Sequence, residues 1–267
     1  MLSITTDYST SIGDPSPYLR RIADAGFTHL HWCHQWNTDF LYSKWEIDQI
    51  QRWLTEFGLQ LLDLHASVGP EKNWYSDEEY ERLSGVELVK NRIDMTSRLG
   101  GGVIIMHIPK DPMCDPLRRS LDDLQPYVVD RGVRIAVENG DFGVIRQLLS
   151  EYGPEFLGVC YDSGHGNSAG DGLGNLETCK GRLISLHMND NDASGDLHQP
   201  LFMGTVDWDR MAGIIATSSY EKCVSMEVVM KNSGIEDEAE FLAHVFETGT
   251  RFAGMVERRK EAGLAAR

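Results

Sequence analysis

The chain has 267 residues, of which 41% are hydrophobic, and this is enough for a large buried core in a globular protein. Its 41 acidic and 25 basic residues give a net charge of −16, which makes a nucleic-acid partner unlikely because phosphate backbones are bound by basic surfaces. No apolar run approaches the roughly 18 residues of a membrane span, so no membrane partner is expected.

The cysteines and the first residues indicate the cellular compartment. The five cysteines are scattered, and none forms a CxxC pair. Such a set is typical of reduced thiols, and the first residues, MLSITTDYST, lack the basic and apolar segments of a secretory signal. We therefore expect a cytoplasmic protein.

Apolar runs alternate with segments of helical periodicity along the whole chain. The predicted strands are Leu2–Thr6, His29–Cys33, Gln60–His65, Val103–Ile108, Val133–Asn139, Phe156–Asp162, Leu183–Met188 and Lys222–Val229. The clearest predicted helices are Ser43–Phe57, Asp77–Leu99, Pro116–Asp130, Asp207–Ala216 and Asp237–Arg259. Strand six runs into the glycine-rich Gly164–Gly174, so its helix is expected to be short.

Eight strands, each followed by a helical segment, predict an α/β protein with a (β/α)₈ TIM barrel fold. We expect a single domain over residues 1–267. A doubly wound open sheet is the structural rival, and it would normally carry a GxGxxG turn after the first strand. Here that strand runs into DYSTSIGDPSP, which has no such turn.

Six consecutive strands end in residues that can ligate a metal or carry a charge. They occur in LLDLHAS, VIIMHIP, RIAVEN, GVCYDSGH, ISLHMND and VSMEVV, and the residues are His65, His107, Glu138, Asp162 with His165, His187, and Glu227. In a TIM barrel the active site lies at this end of the strands. The pattern therefore predicts one shared site.

Alternation along the strands predicts which of these side chains point into the barrel. Two residues before four of them stand small residues, which leave room inside the barrel. These small residues are Ala136, Cys160, Ser185 and Ser225. Glu138, Asp162, His187 and Glu227 should therefore converge on the barrel axis. Three carboxylates and an imidazole would repel one another or stay unsatisfied there, and a divalent metal resolves that conflict.

The ordered set DLHAS, IIMHIP, AVEN, YDSGHGN, SLHMND, DLHQPLFMGTVDW and MEVV resembles the xylose-isomerase-like TIM barrels. This superfamily includes sugar phosphate isomerases and epimerases and endonuclease-IV-type enzymes. In its isomerases and epimerases two Glu, one Asp and one His hold one divalent metal. The resemblance implies Glu138, Asp162, His187 and Glu227 as ligands. Mn²⁺ is the most favoured cofactor, and Mg²⁺, Co²⁺ and Zn²⁺ are alternatives.

The resemblance also implies a reaction. We expect a metal-dependent isomerase or epimerase of a sugar, keto-sugar or polyol, in which Glu138 and Glu227 transfer protons through an enediolate. A dehydratase of the same superfamily is an alternative. The residues expected to bind substrate are His65, His107, His165, His198, Trp36 and Trp74, with the two indoles stacking on a sugar. A homo-oligomer is possible, since dimers and tetramers are common in the family.

Two other functions stay open. Endonuclease-IV-type members hold three zinc ions, and the additional ligands would be His65, His107, His165, Asp196 and His198. That reading implies a phosphodiesterase on abasic DNA, and the charge of −16 disfavours it. A non-catalytic sugar-binding barrel is disfavoured because Glu138 and Glu227 are both present. His31 and His34 are expected in core or loop positions more than at the mouth.

Overall fold

A computed structural model describes residues 1–34, 41–66, 73–109 and 114–265 and forms one parallel barrel. Its strands are β1 (Leu2–Thr5), β2 (His29–Trp32), β3 (Gln60–His65), β4 (Val103–Met106), β5 (Arg134–Glu138), β6 (Leu157–Asp162), β7 (Leu183–His187) and β8 (Val224–Met226). Strands adjacent in sequence pair from β1 to β7, and β8 pairs with β1. Met188 N donates to Ser225 O at 2.9 Å and Glu227 N to Met188 O at 3.1 Å, which joins β7 to β8. The predicted (β/α)₈ barrel is confirmed.

Helices follow the strands in the predicted order. They are α1 (Ser16–Asp24), α2 (Lys44–Phe57), α3 (Glu79–Arg98), α4 (Asp115–Asp130), α5 (Phe142–Glu151), α6 (Ser163–Ser168), α7 (Gly172–Cys179), α8 (Trp208–Ala216) and α9 (Glu238–Ala265). Ser43 and Glu46 form a capping box at the start of α2, and Gly58, with φ of 68°, ends it. The short α6 and α7 after β6 match the prediction. Among the helices described, none is long and apolar enough to cross a membrane.

The strands present their two faces as the alternation predicted. Val137, Tyr161, Leu186 and Met226 lie in the main core between the strands and the helices. A separate, small apolar cluster lies on the other face of the strands, inside the barrel. Its members are Val103, Ile105, Ala136, Cys160 and Ile184. The predicted site residues therefore lie one layer closer to the barrel mouth than these buried residues.

Strand β8 is shorter than the predicted Lys222–Val229. Beyond Met226 the backbone leaves β1 and bonds to the segment that follows β7. Glu227 N donates to Met188 O, and Val229 N donates to His198 O at 2.8 Å. Because this change of partner occurs at the barrel rim, Glu227 belongs to the loop layer and not to the regular sheet.

We expect Gly85→Ala to lower the thermal midpoint of unfolding. A Cβ at Gly85 on α3 would stand 2.5 Å from the backbone nitrogen of Trp74, so helix and loop would have to separate, at a cost of about 1–3 kcal/mol. Gly263→Ala is the matched control, because its Cβ on α9 meets no atom within 4 Å and removes a helical glycine. Calorimetry of both variants tests this, and equal midpoints would contradict the tight contact.

Candidate metal centre

Four of the predicted side chains meet at the barrel mouth and form what we call the central cluster. Glu138 ends β5, Asp162 ends β6, His187 ends β7 and Glu227 follows β8. Their ligand atoms all lie within 4.8 Å of one another, and all four residues are buried. His187 Nδ1 lies 3.0 Å from Glu138 Oε1 and 2.9 Å from Glu227 Oε2. The four side chains that strand alternation predicted to converge therefore do lie together.

Asp162 is fixed by two asparagines that the sequence reading did not single out. Asn139 Nδ2 donates to the Asp162 carbonyl at 2.9 Å, and Asp162 N donates to Asn139 Oδ1 at 2.5 Å. The Asp162 carboxylate accepts from His165 N at 2.7 Å and from Asn189 Nδ2 at 2.6 Å. Asn139 directly follows Glu138 in AVEN, and Asn189 lies two residues after His187 in HMND. This proximity to predicted ligands was the sequence feature that could have identified them.

A second group, His65, His107 and Glu138, adjoins the central cluster on the side of β3 and β4. Glu138 Oε2 lies 3.2 Å from His107 Nε2 and 3.5 Å from His65 Nε2. The two imidazole nitrogens are themselves 3.1 Å apart. Two ring nitrogens facing each other and a carboxylate oxygen require a shared proton or a cation between them.

A third group joins Asp162, His165 and His198 on the other side of the central cluster. Asp196 lies beside it, with Oδ1 at 2.9 Å from His198 Nε2 and Oδ2 at 3.4 Å from His165 Nε2. His198 adopts a left-handed φ of 47°, and its Nδ1 donates to the Glu227 carbonyl at 2.9 Å. Such strained backbone in a non-glycine residue is typical of functional sites.

Of the two predicted stacking tryptophans, the structure describes Trp74, and its ring does not face the site as expected. Trp74 is only 4% exposed, and its indole N–H donates to the His107 carbonyl at 3.3 Å. A buried ring offers no free face to a sugar, so the stacking expectation for Trp74 is not supported and its role is to support the segment after β4. Trp36 lies outside the described residues. His31 and His34 are fully buried.

Burial and charge act in opposite directions on the central carboxylates. Burial raises the pKa of Glu138 and Glu227, but the charge of His187 outweighs it, and both pKa values lie well below the ordinary range. Burial raises the pKa of Asp162 to about 6. Burial lowers the pKa of His187, while its contacts with Cys160, Glu227 and Glu138 raise it well above the usual value. His187 therefore holds a proton next to two carboxylates at neutral pH.

The outer histidines differ from one another. Burial lowers the pKa of His107 to about 4, so its imidazole is neutral. For His165 and His198 burial acts in the same direction, but the hydrogen bond with Asp196 and neighbouring carboxylates raise the pKa to about 9 and about 10. Both imidazoles are therefore protonated on both nitrogens, and positively charged, at neutral pH.

The donor set and its unsatisfied atoms fit a divalent cation. Among the described residues, Glu138 Oε2 and His187 Nε2 are buried without a hydrogen-bond partner. Buried polar atoms rarely stay unpaired in a folded protein. Three carboxylates and one imidazole form an oxygen-rich set that suits Mn²⁺ or Mg²⁺.

Comparison with known sequences identifies the family. The profile described as xylose isomerase-like TIM barrel matches residues 19–245. The chain belongs to this family. Among relatives of this xylose isomerase-like barrel, the uncharacterized protein y4fM of Sinorhizobium fredii is 34% identical over 246 residues, covering 78% of this chain and 79% of the relative. The uncharacterized protein MJ1311 of Methanocaldococcus jannaschii is 23% identical and covers 61% of each chain.

Solved structures share the fold at low identity. L-ribulose 3-epimerase superposes with a TM-score of 0.80 at 14% identity, covering 100% of this chain and 98% of the other. A D-tagatose 3-epimerase-like protein gives 0.78 at 17% identity, covering 97% and 98%. The IOLI protein with a binding zinc atom gives 0.71 at 13% identity, covering 97% and 98%. These likenesses show a common barrel.

Metal binding to the central cluster should release about one proton at pH 7, because His187 must give up its proton to become a ligand. Occupation of the third group should release about two more, from His165 and His198. Titration calorimetry in buffers of different ionisation enthalpy measures the number. Release of no proton with the first ion would contradict the protonated His187.

Proposed function

We propose that this protein is a metal-dependent isomerase or epimerase of a sugar, keto-sugar or polyol. The observation that carries the proposal is the pair of buried carboxylates, Glu138 and Glu227, which lie 3.0 and 2.9 Å from the same atom, His187 Nδ1. They come from β5 and from the segment after β8, so they approach the centre from different directions. A substrate carbon between them meets a carboxylate on each side.

The electrostatics of the pair suit proton transfer at carbon. The pKa values of both carboxylates lie well below the ordinary range, so at neutral pH both are ionised and able to bind a cation or accept a proton. One can remove the proton next to a carbonyl, and the other, once protonated from solvent, can return a proton to the opposite side. A divalent ion held by Glu138, Asp162, His187 and Glu227 would supply polarisation of that carbonyl. We propose Mn²⁺, with Mg²⁺, Co²⁺ or Zn²⁺ as alternatives.

The histidines around the central cluster are suited to binding a polyhydroxylated ligand. His65, His107, His165 and His198 surround the central cluster with ring nitrogens that can donate to or accept from hydroxyl groups. His107 is the most open of them, with a side chain 45% exposed. We propose these four as substrate-binding residues. The L-ribulose 3-epimerase whose barrel superposes on this one acts, by its name, on a ketose, which supports the same substrate class.

Glu138→Gln and Glu227→Gln should each lower turnover by about 10²–10⁴-fold, because each removes one of the two proton-transfer groups. The assay incubates the Mn²⁺-loaded chain with ketoses and inososes in D₂O and follows deuterium incorporation next to the carbonyl. Glu247→Gln, an exposed position on α9, is the control and should leave the rate unchanged. Full activity in Glu138→Gln would overturn the assignment.

A second candidate is favoured by one observation. The central cluster shares Glu138 with the second group and Asp162 with the third, so neighbouring ions could be held side by side. This arrangement supports an endonuclease-IV-like zinc phosphodiesterase acting on abasic DNA, which uses two or more metals to activate water and stabilise the leaving oxygen. The net charge of −16 opposes binding to DNA.

Elemental analysis after loading with Zn²⁺ or Mn²⁺ separates the two functions. About one ion per chain, with no cleavage of an abasic duplex at any salt concentration, supports the isomerase. Two or three Zn²⁺ per chain with cleavage that falls steeply as salt rises would support the phosphodiesterase.

A further inference from the structure

A cavity of about 330 Å³ lies at the amino-terminal end of the barrel, on the face opposite the central cluster. It is bordered by the beginnings of β5 and β7 and by the segment that leads into β8. Pockets for small ligands usually measure about 300–1,000 Å³, so this one has room for a small molecule. The side chains that decide its chemistry are Arg134, Arg182, Ile184, Tyr220, Glu221 and Lys222.

The alternation of β5 places a cation at this end of the barrel. Arg134 stands two residues before Ala136 and four before Glu138, so the three side chains share the inward face of the strand. At about 3.3 Å per residue, Arg134 and Glu138 lie roughly 13 Å apart along the strand. The small apolar cluster of the barrel interior, to which Ala136 belongs, lies between them. The cavity is therefore separate from the central cluster.

Arg182 is held in place by uncharged groups. Its guanidinium donates to the backbone carbonyls of Leu149 at 3.1 Å, Tyr152 at 2.9 Å and Leu157 at 2.5 Å. Its Nε is buried without a hydrogen-bond partner among the described residues. Burial lowers the pKa of Arg182 more than the charge of Glu155 raises it. The carbonyls thus fix the guanidinium without neutralising its positive charge.

Arg134 and Lys222 also lack a compensating carboxylate in direct contact. Within the part of the chain that the structure describes, neither side chain forms an ion pair or a hydrogen bond. Partial burial lowers the pKa of Lys222, Asp63 inside the barrel raises it and the charge of Arg134 lowers it, with a net decrease. Asp63 is itself engaged by His31 Nδ1 at 2.9 Å. The two cations are therefore close enough to repel each other.

The charge around this cavity contrasts with that of the whole chain. The chain carries a net charge of −16, whereas the cavity lining combines three cations with one acid, Glu221. A cleft lined by charges of one sign concentrates ions of the opposite sign. The repulsion among the three cations would be relieved by an anion bound between them.

We propose that this cavity binds a small organic anion with two negative charges, whose oxygens face the positive charges of Arg134, Arg182 and Lys222. The proposal goes beyond the reaction at the barrel mouth and does not depend on it. Guanidinium groups pair well with phosphate and carboxylate oxygens, and a lysine adds a point charge. Ile184 and Tyr220 are buried and offer an apolar wall to a carbon skeleton. A phosphate ester and a dicarboxylate share this chemistry.

Arg134→Gln and Lys222→Gln test the proposal without breaking a contact within the described chain. We expect each to weaken the binding of inorganic phosphate or succinate by about 10–100-fold, because each removes a charged partner of the anion. Glu221→Gln should strengthen binding by about 2–10-fold, since it removes the acid of the lining. Lys44→Gln, an exposed position at the start of α2, is the matched control: it changes the net charge equally and should leave the affinity unchanged.

Titration calorimetry of the full chain at low ionic strength gives the affinity and the number of sites. Mildly alkaline solution keeps both probes doubly charged, and the thermal midpoint of unfolding should rise with their concentration. One site per chain that both cation variants weaken and Glu221→Gln strengthens would support the proposal. Tighter binding of phosphate would then indicate a phosphate ester as the ligand, and tighter binding of succinate a dicarboxylate.

Three results would overturn the proposal. The first is no saturable binding of either probe. The second is binding that Arg134→Gln and Lys222→Gln leave unchanged but His198→Asn abolishes, which would locate the anion at the mouth beside the charged imidazoles of His165 and His198. The third is an equal loss of affinity in Lys44→Gln, which would show a general effect of net charge. None of the three bears on the proposed isomerase reaction, because that reaction takes place at the other end of the barrel.

Discussion

Compensation of buried negative charge is the constraint on which the site depends. Glu138, Asp162 and Glu227 are buried within a few ångströms of one another, and isolated carboxylates at that depth are costly. A protonated His187 stabilises two of them, and burial raises the pKa of Asp162. One proton on His187 compensates only part of the negative charge of the three carboxylates, and the two charges of a divalent cation would compensate more of it.

The surrounding residues keep this costly arrangement in place. Asn139 and Asn189 hold the backbone and carboxylate of Asp162, and Trp74 supports the carbonyl of His107 from below. In each of these contacts the donor is an uncharged side chain that is not a predicted metal ligand. Uncharged neighbours therefore help to fix the positions of the candidate ligands, in addition to the contacts among the charged groups themselves.

Simple periodicities were enough to predict the fold and the central cluster. Small residues such as Ala136 and Ser225 alternate with large ones along the strands. This alternation identified the inward face, because successive side chains of a strand point to opposite sides of the sheet. The pairing of His31 with Asp63 could not be read in the same way, since a bulge shifts the register by one residue and leaves no mark in the sequence. The burial of Trp74 was also invisible, because a loop's path depends on the helices around it.

The loop after β7 has a consequence for how the barrel mouth is built. His198 ties this loop to the end of β8 twice, through its imidazole to the Glu227 carbonyl and through its own carbonyl to Val229. Lifting the loop would pull directly on the glutamate at the centre. Two hydrogen bonds hold that side of the mouth, whereas the side chain of His107, at the end of β4, is 45% exposed. A residue in a left-handed conformation thus couples the loop after β7 to the backbone of a candidate ligand on the other side of the strand gap.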